Sequence, residues 1–280
     1  MSFFRYPGGK SKLKKIILSR LHQYSREEYR EPFFGGGGVG SSFLAEQSPS
    51  SIWINDKDIG ISCLWTSVIN HPDELKQKVM QFTPSTPTFY LHKNELLNLT
   101  TTPEHIDEVV YYGFIKLAIH QTSYSGLGTK SGGPLGGKEQ KSKYKIDCRW
   151  SPSYICKKID KLHKQLSAFA VKNKKCTNCD FEDLIRASGD ALLYLDPPYY
   201  KKGNDLYQCG FTQQDHERLA LSLRESEHDW VLSYDDCDEI RTLYEWANIE
   251  EINVNYTITA TKEKCGKRLS RTKPELIISK

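Results

Sequence analysis

The sequence has no apolar run approaching the roughly 18 residues that a membrane-spanning helix takes. Its opening, Met1-Ser2-Phe3-Phe4-Arg5-Tyr6-Pro7-Gly8-Gly9, lacks the apolar core of a secretory signal. Together these absences predict an intracellular, cytoplasmic protein with no membrane partner. A cysteine framework is missing too. The eight cysteines, at 63, 148, 156, 176, 179, 209, 237 and 265, are scattered, and only Cys176-Thr177-Asn178-Cys179 forms a CxxC. A structural zinc needs a second pair of ligands, and the pattern offers none, so reduced thiols and no metal are expected. No internal repeat is visible. With 38% hydrophobic and 26% charged residues, the composition is that of a folded chain rather than a disordered one. A length of 280 residues allows one large domain or two smaller ones.

Net charge is also slight, +4, but it is unevenly spread. Residues 116–175 carry 14 Lys or Arg against 3 Asp or Glu, a local +11 that leaves −7 for the rest. Such a segment is either a solvated lysine face or a phosphate-binding surface. Its first part, Gln121-Thr122-Ser123-Tyr124-Ser125-Gly126-Leu127-Gly128-Thr129-Lys130, is rich in glycine and hydroxyls as well as basic. Hydroxyls and lysines on such loops touch phosphates and base edges. Ser123, Tyr124, Ser125, Lys130 and Lys138 are therefore candidate nucleic-acid contacts.

Apolar periodicity predicts helices over residues 10–21, 41–47, 103–118 and 153–169, with Ile106, Val109, Val110, Phe114, Leu117 and Ala118 on one face of the third. Thr102 and Pro103 are read as the third helix's N-cap and first residue. Between residues 70 and 103 the periodicity is weak and prolines punctuate the chain. Strands are expected over 29–34, 51–56, 191–195, 229–233, 249–258 and 275–279. Thr212 to Asp215 resembles a capping box that opens a helix bearing Leu219, Leu221 and Leu223. A basic loop with Lys262, Lys264, Lys267, Arg268 and Arg271 joins the last two strands. This order describes an open α/β sheet interrupted by a helical insert. The division expected is 1–59 and 156–280 for the sheet domain and 60–155 for the insert.

Two turns carry the chemistry. Gly35-Gly36-Gly37-Gly38-Val39-Gly40 stands between a strand and a helix, where glycines let a cofactor lie against backbone. Asp56 ends the next strand, about 20 residues on, where an acid accepts hydrogen bonds from ribose hydroxyls. Gly9-Lys10-Ser11 looks like the end of a phosphate-binding P-loop, but Phe4 stands where that motif needs its first glycine. The second turn, Asp196-Pro197-Pro198-Tyr199, follows the apolar run Ala191-Leu192-Leu193-Tyr194-Leu195. Proline removes donors and stiffens the turn, leaving carbonyls able to accept. Asp196 and the Pro197 carbonyl suit the two hydrogens of an exocyclic amino group, with Tyr199 stacked on its ring. On these four residues alone, an ordinary strand-to-loop junction fits equally well.

Three motifs in order, Tyr6-Pro7-Gly8-Gly9-Lys10, Glu31-Pro32-Phe33-Phe34-Gly35-Gly36-Gly37 and Asp196-Pro197-Pro198-Tyr199, resemble the Dam-type family of DNA adenine-N6 methyltransferases. The basic insert and the closing Pro274-Glu275-Leu276-Ile277-Ile278 match the family's arrangement. The resemblance implies a Rossmann-like S-adenosylmethionine-dependent methyltransferase fold with a mainly helical inserted DNA-recognition domain. It implies S-adenosylmethionine as cofactor, S-adenosylhomocysteine as product and double-stranded DNA as partner. Tyr6, Lys10, Phe34, Gly35, Gly37, Asp56, Asp180, Phe181 and Asp196 would hold the cofactor. Asp196, Pro197 and Tyr199 would be catalytic on a flipped-out adenine, and Arg5 would touch DNA. It further implies a monomer or weak dimer in a bacterial or phage-infected cell, with a cognate restriction endonuclease as a functional partner where the enzyme serves restriction–modification. His120 to Lys138, Ser123-Tyr124-Ser125-Gly126 among it, keeps only part of the outline of the GATC-reading members, so no target sequence carries over. Other readings of the turns are methylation of cytosine N4, RNA or a protein glutamine, and a catalytically inactive DNA-binding relative.

Overall fold

The computed structural model describes residues 3–167, 174–201, 208–256 and 271–280. Seven strands form one sheet: β1 (Glu28–Glu31), β2 (Ser51–Asn55), β3 (Lys174–Thr177), β4 (Ala191–Leu195), β5 (Asp229–Asp235), β6 (Asn248–Tyr256) and β7 (Arg271–Ser279). Their order is β3-β2-β1-β4-β5-β7-β6. The first five run parallel, while β7 is antiparallel to both β5 and β6. This is a Rossmann-like, mostly parallel α/β sheet with one antiparallel strand, β7, set between β5 and β6.

β4 lies between β1 and β5, and all five of its residues are buried. Leu192 and Tyr194 enter the core on one face of the sheet, Leu193 and Leu195 the core on the other. That is why its sequence is an unbroken apolar run. β1 is shorter than its motif suggests, because Pro32 ends it. It buries Arg30 at 1% exposure. The guanidinium bonds Glu28 at 2.7 Å and the carbonyls of Leu184, Ala187 and Ser188 at 2.7–2.8 Å, so the buried charge is fully partnered.

Among the described residues there are ten α-helices. α1 (Lys14–Leu21) and α2 (Gly40–Phe43) are shorter than the sequence reading, since flanking turns take up the remainder. Between β2 and β3 the chain makes α3 (Ile59–Asn70), α4 (Pro72–Gln81), α5 (Thr86–Asn98), α6 (Ile106–Thr122) and α7 (Pro152–Ser167). α4 and α5 occupy the stretch of weak periodicity. α4 is covered only at Leu75 and Val79, and α5 is started by a Ser85–Thr88 capping box with proline following. α6 begins at Ile106 with His105 at its N-cap, later than Thr102–Pro103 suggested, and Ile106 is 55% exposed. α3 packs on α6 closely enough that a Cβ at Gly113 would come 2.8 Å from the Leu64 backbone.

The division expected after residue 59 falls at the first turn of α3, and the one after 155 falls within α7. Side chains of both helices join the same core as Ile52, Leu192 and Val231 of the sheet. α8 (Phe181–Arg186), α9 (Gln213–Glu225) and α10 (Asp238–Leu243) complete the fold. The Thr212–Asp215 capping box opens α9. Leu219 and Leu223 are buried there, but Leu221 is 52% exposed because it points off the sheet-facing stripe. Of the basic loop, Arg271 opens β7, and Lys262, Lys264, Lys267 and Arg268 lie outside the described residues. Among the described residues no helix is long and apolar enough to cross a membrane, and no cluster of His, Cys, Asp or Glu is arranged to hold a metal.

Candidate active site

Strand order reverses between β1 and β4, so the connections beyond their carboxyl ends diverge and leave a crevice. A cleft of about 510 Å³ occupies that place. Tyr6, Lys10, Phe34, Gly35, Asp56, Asp180, Phe181 and Asp196 all line it. Gly37, Pro197 and Tyr199 are not among its lining residues.

The glycine turn forms the floor. Gly35 has φ +47° and Gly37 φ +63°, conformations that side chains rarely adopt. A Cβ on Gly35 would lie 2.6 Å from the Tyr6 ring, and one on Gly37 would lie 2.5 Å from Trp65. The indole of Trp65 in turn donates to the Gly35 carbonyl at 2.8 Å. Gly37 thus packs the floor from below, whereas Gly35 faces the cleft.

Asp56 follows β2 and is locked by backbone. The Gly35 N–H donates to one carboxylate oxygen at 2.7 Å and the Asp58 N–H to the other at 2.9 Å. Burial, with help from the Asp58 charge, pushes its pKa up to about 7 against the pull of those N–H groups and Lys116. Asp58 caps α3 and pairs with Lys116 at 2.5 Å.

One end of the cleft is aromatic. Phe33, Phe181 and Phe211 meet with ring centroids 5.6–5.8 Å apart. Asp180 caps α8 beside them and pairs with Arg218 at 2.9 Å. Phe33 and Phe211 were not singled out in the sequence. Phe33 sits inside the Glu31–Phe34 motif. Phe211 precedes the capping box of α9 and carries no local signal.

The other end is charged. The Lys10 ammonium lies 2.7 Å from Oδ1 of Asp196, and the Ser233 hydroxyl donates to the same oxygen at 3.0 Å. Oδ2 has no partner among the described residues. Burial raises the Asp196 pKa, opposed by Lys10 and Ser233. Lys10 also stands 4.5 Å from the centre of the Tyr199 ring, on a residue expected to stack a substrate ring. The Tyr199 hydroxyl donates to Glu275. Glu31, another cleft residue missed in the sequence, accepts from the Tyr29 hydroxyl at 2.6 Å, and burial drives its pKa well up. Ser233 and Glu275 come from β5 and β7, so only strand register brings them to the turn.

Arg5 links the cleft to the insert. Its guanidinium donates to the Ser123 carbonyl at 3.2 Å, and its stem abuts Gly126. Ser123 departs from its expected role. It is fully buried, and its hydroxyl accepts from the Gly128 N–H at 3.0 Å. It shapes the turn instead of facing outward. Tyr124, Ser125, Lys130 and Lys138 are exposed, Tyr124 at 66%. Ser125, Gly126 and Gly128 have φ between +56° and +72°, which folds the turn back on His120. Burial first, and Lys116 second, lower the His120 pKa to about 3, so that ring stays neutral at 5.3 Å from Tyr6.

Residues 6–258 match the model of the family described as D12 class N6 adenine-specific DNA methyltransferase. No curated protein sequence matches the chain.

Proposed function

The chain belongs to the D12 class of N6 adenine-specific DNA methyltransferases, and from that premise we propose that its cleft holds S-adenosylmethionine beside an adenine turned out of double-stranded DNA. The residues present fit such a cofactor. The aromatic end suits a purine ring, and Asp56 keeps lone pairs toward the cleft for ribose hydroxyls. Gly35 lets the Tyr6 ring pack directly on the backbone of the cleft wall, since a Cβ there would lie 2.6 Å from it. When bound, the cofactor supplies a methyl group already activated on a sulfonium sulfur.

The observation that carries this reading is the asymmetry of Asp196. Lys10 and Ser233 fix Oδ1, while Oδ2 has no partner among the described residues, and Asp196 lines the cleft. Oδ2 is placed to accept one amino hydrogen of the target adenine, with the Pro197 carbonyl accepting the other. These two acceptors favour a pyramidal nitrogen and stabilise the positive charge that grows on it. Oδ2 then takes the proton that the methylated nitrogen sheds. Tyr199 orients the ring of a base that has left its stack, since chemistry on N6 cannot be done inside the duplex.

In this reading residues 60–155 recognise the target, with Tyr124, Ser125, Lys130 and Lys138 toward DNA. Residues 1–59 and 156–280 carry out the transfer. Modification-sensitive sequencing of DNA from cells expressing the chain tests it. N6-methyladenine at one recurring sequence, absent with Asp196→Ala, is the expected result. Modified cytosine, or no modified base, would overturn the proposal. The same data show whether the target is the kind of short site that a cognate nuclease would share.

A further inference from the structure

Two carboxylates face each other across the antiparallel pair β5–β7, where register sets Asp235 opposite Glu275. Like charges in that relation repel, and Glu275 is only 5% exposed, with the Lys10 charge acting against that repulsion. Both groups are nevertheless occupied by one short segment. Glu275 accepts from the Tyr199 hydroxyl. Asp235 accepts from the N–H groups of Tyr200 and Lys201 at 3.1 and 3.3 Å. The segment just past the two prolines is thus held at its side chain from β7 and at its backbone from β5. The Tyr199 ring is further bounded by Lys10 at 4.5 Å and by the Tyr234 ring at 6.2 Å.

We infer that Glu275, supported by Asp235, is a positioning residue that fixes the plane of the Tyr199 ring for the incoming base. The inference rests on the function proposed above. A Tyr ring has little to hold it against rotation except packing and its hydroxyl bond. The two prolines stiffen the chain before the ring, and Asp235 stiffens the chain after it, but neither reaches the ring itself. Among the described residues, only Glu275 does so by hydrogen bond. The role is to hold geometry and not to move protons, so a neutral acceptor of the same shape should serve.

The test is a double-mutant cycle between Glu275→Ala and Tyr199→Phe in the full chain. Plasmid DNA carrying the sequence identified by sequencing is the substrate, and N6-methyladenine is measured by nucleoside mass spectrometry. Each single variant should lower kcat roughly 10- to 100-fold, as small misplacements of reacting groups do. The dissociation constant for S-adenosylmethionine should stay within about twofold, because neither group borders the aromatic end or Asp56. The double variant should be no slower than the worse single one, and Glu275→Gln should keep most of the rate. Losses that multiply in the double variant, a Gln variant as slow as the Ala variant, or a loss confined to cofactor affinity would each overturn the inference. A wild-type chain that makes no N6-methyladenine would overturn the proposed function and this inference with it. An active wild type with any of those three outcomes overturns this inference alone.

Discussion

The cleft and the turn that spans Ser123 to Lys130 are built in opposite ways. Polar groups in the cleft stand on strand ends and are bound on their inner sides, Asp56 by two backbone N–H groups and Asp196 by Lys10 and Ser233. Of these four carboxylate oxygens, only Oδ2 of Asp196 has no partner among the described residues. The turn instead buries its own hydroxyl at Ser123 and uses left-handed residues to present Tyr124, Ser125 and Lys130 outward. One region is rigid and inward-facing, as transfer chemistry requires. The other is a surface whose exposed side chains can change without disturbing the fold. If this division is correct, cleft variants should alter rate or cofactor affinity and leave DNA affinity alone, and turn variants the reverse.

The largest effect is expected for Asp196→Ala. Methyl transfer should fall by roughly 1,000-fold or more, with thermal unfolding and DNA affinity little changed. Near-normal turnover would move the chemistry out of this cleft. Next comes Asp56→Ala, which should weaken cofactor binding by about 1–3 kcal/mol through lost charged hydrogen bonds, measured by calorimetry. The same group gives a pH dependence. With its pKa near about 7, Asp56 is ionised and fully accepting above that value and protonated below it. Cofactor affinity should therefore fall as pH drops through about 7 and level off above, and that slope should vanish in Asp56→Ala.

Gly35→Ala should cost about 1–2 kcal/mol of stability for a left-handed non-glycine residue, and more cofactor affinity as the Tyr6 ring is displaced. An unchanged melting temperature would contradict the tight floor. Lys130→Ala is the smallest effect. It should reduce the slope of log DNA affinity against log salt by about 1 and leave the affinity for cofactor unchanged. An altered cofactor affinity would blur the division between the two regions.

Much of the cleft was legible because its signals are local. Ala191–Leu195 is apolar throughout because both faces of β4 are buried, and the Asp-Pro-Pro-Tyr turn directly follows it. The glycines mark positive φ and close approach, which only glycine tolerates at Gly35 and Gly37. The capping box at Thr212 and the apolar periodicity over 153–169 came through for the same reason, with Ile155, Ile159, Leu162 and Leu166 of α7 buried. What stayed hidden depends on tertiary placement. Ser233, Glu275 and Phe211 reach the site through strand register or helix packing, and nothing adjacent to them marks it. α4 and α5 bury too few side chains for a clear period. Ser123 reads as a loop hydroxyl until the fold shows it committed to Gly128.

The central claim is that this cleft moves a methyl group from S-adenosylmethionine to adenine N6. The direct measurement uses the purified chain, unmethylated duplex DNA and methyl-labelled S-adenosylmethionine, with hydrolysis to nucleosides and mass spectrometry. Label in N6-methyldeoxyadenosine with the wild type, and none with Asp196→Ala, is the predicted result. Label in a methylated cytosine, or equal labelling by both proteins, would contradict the account.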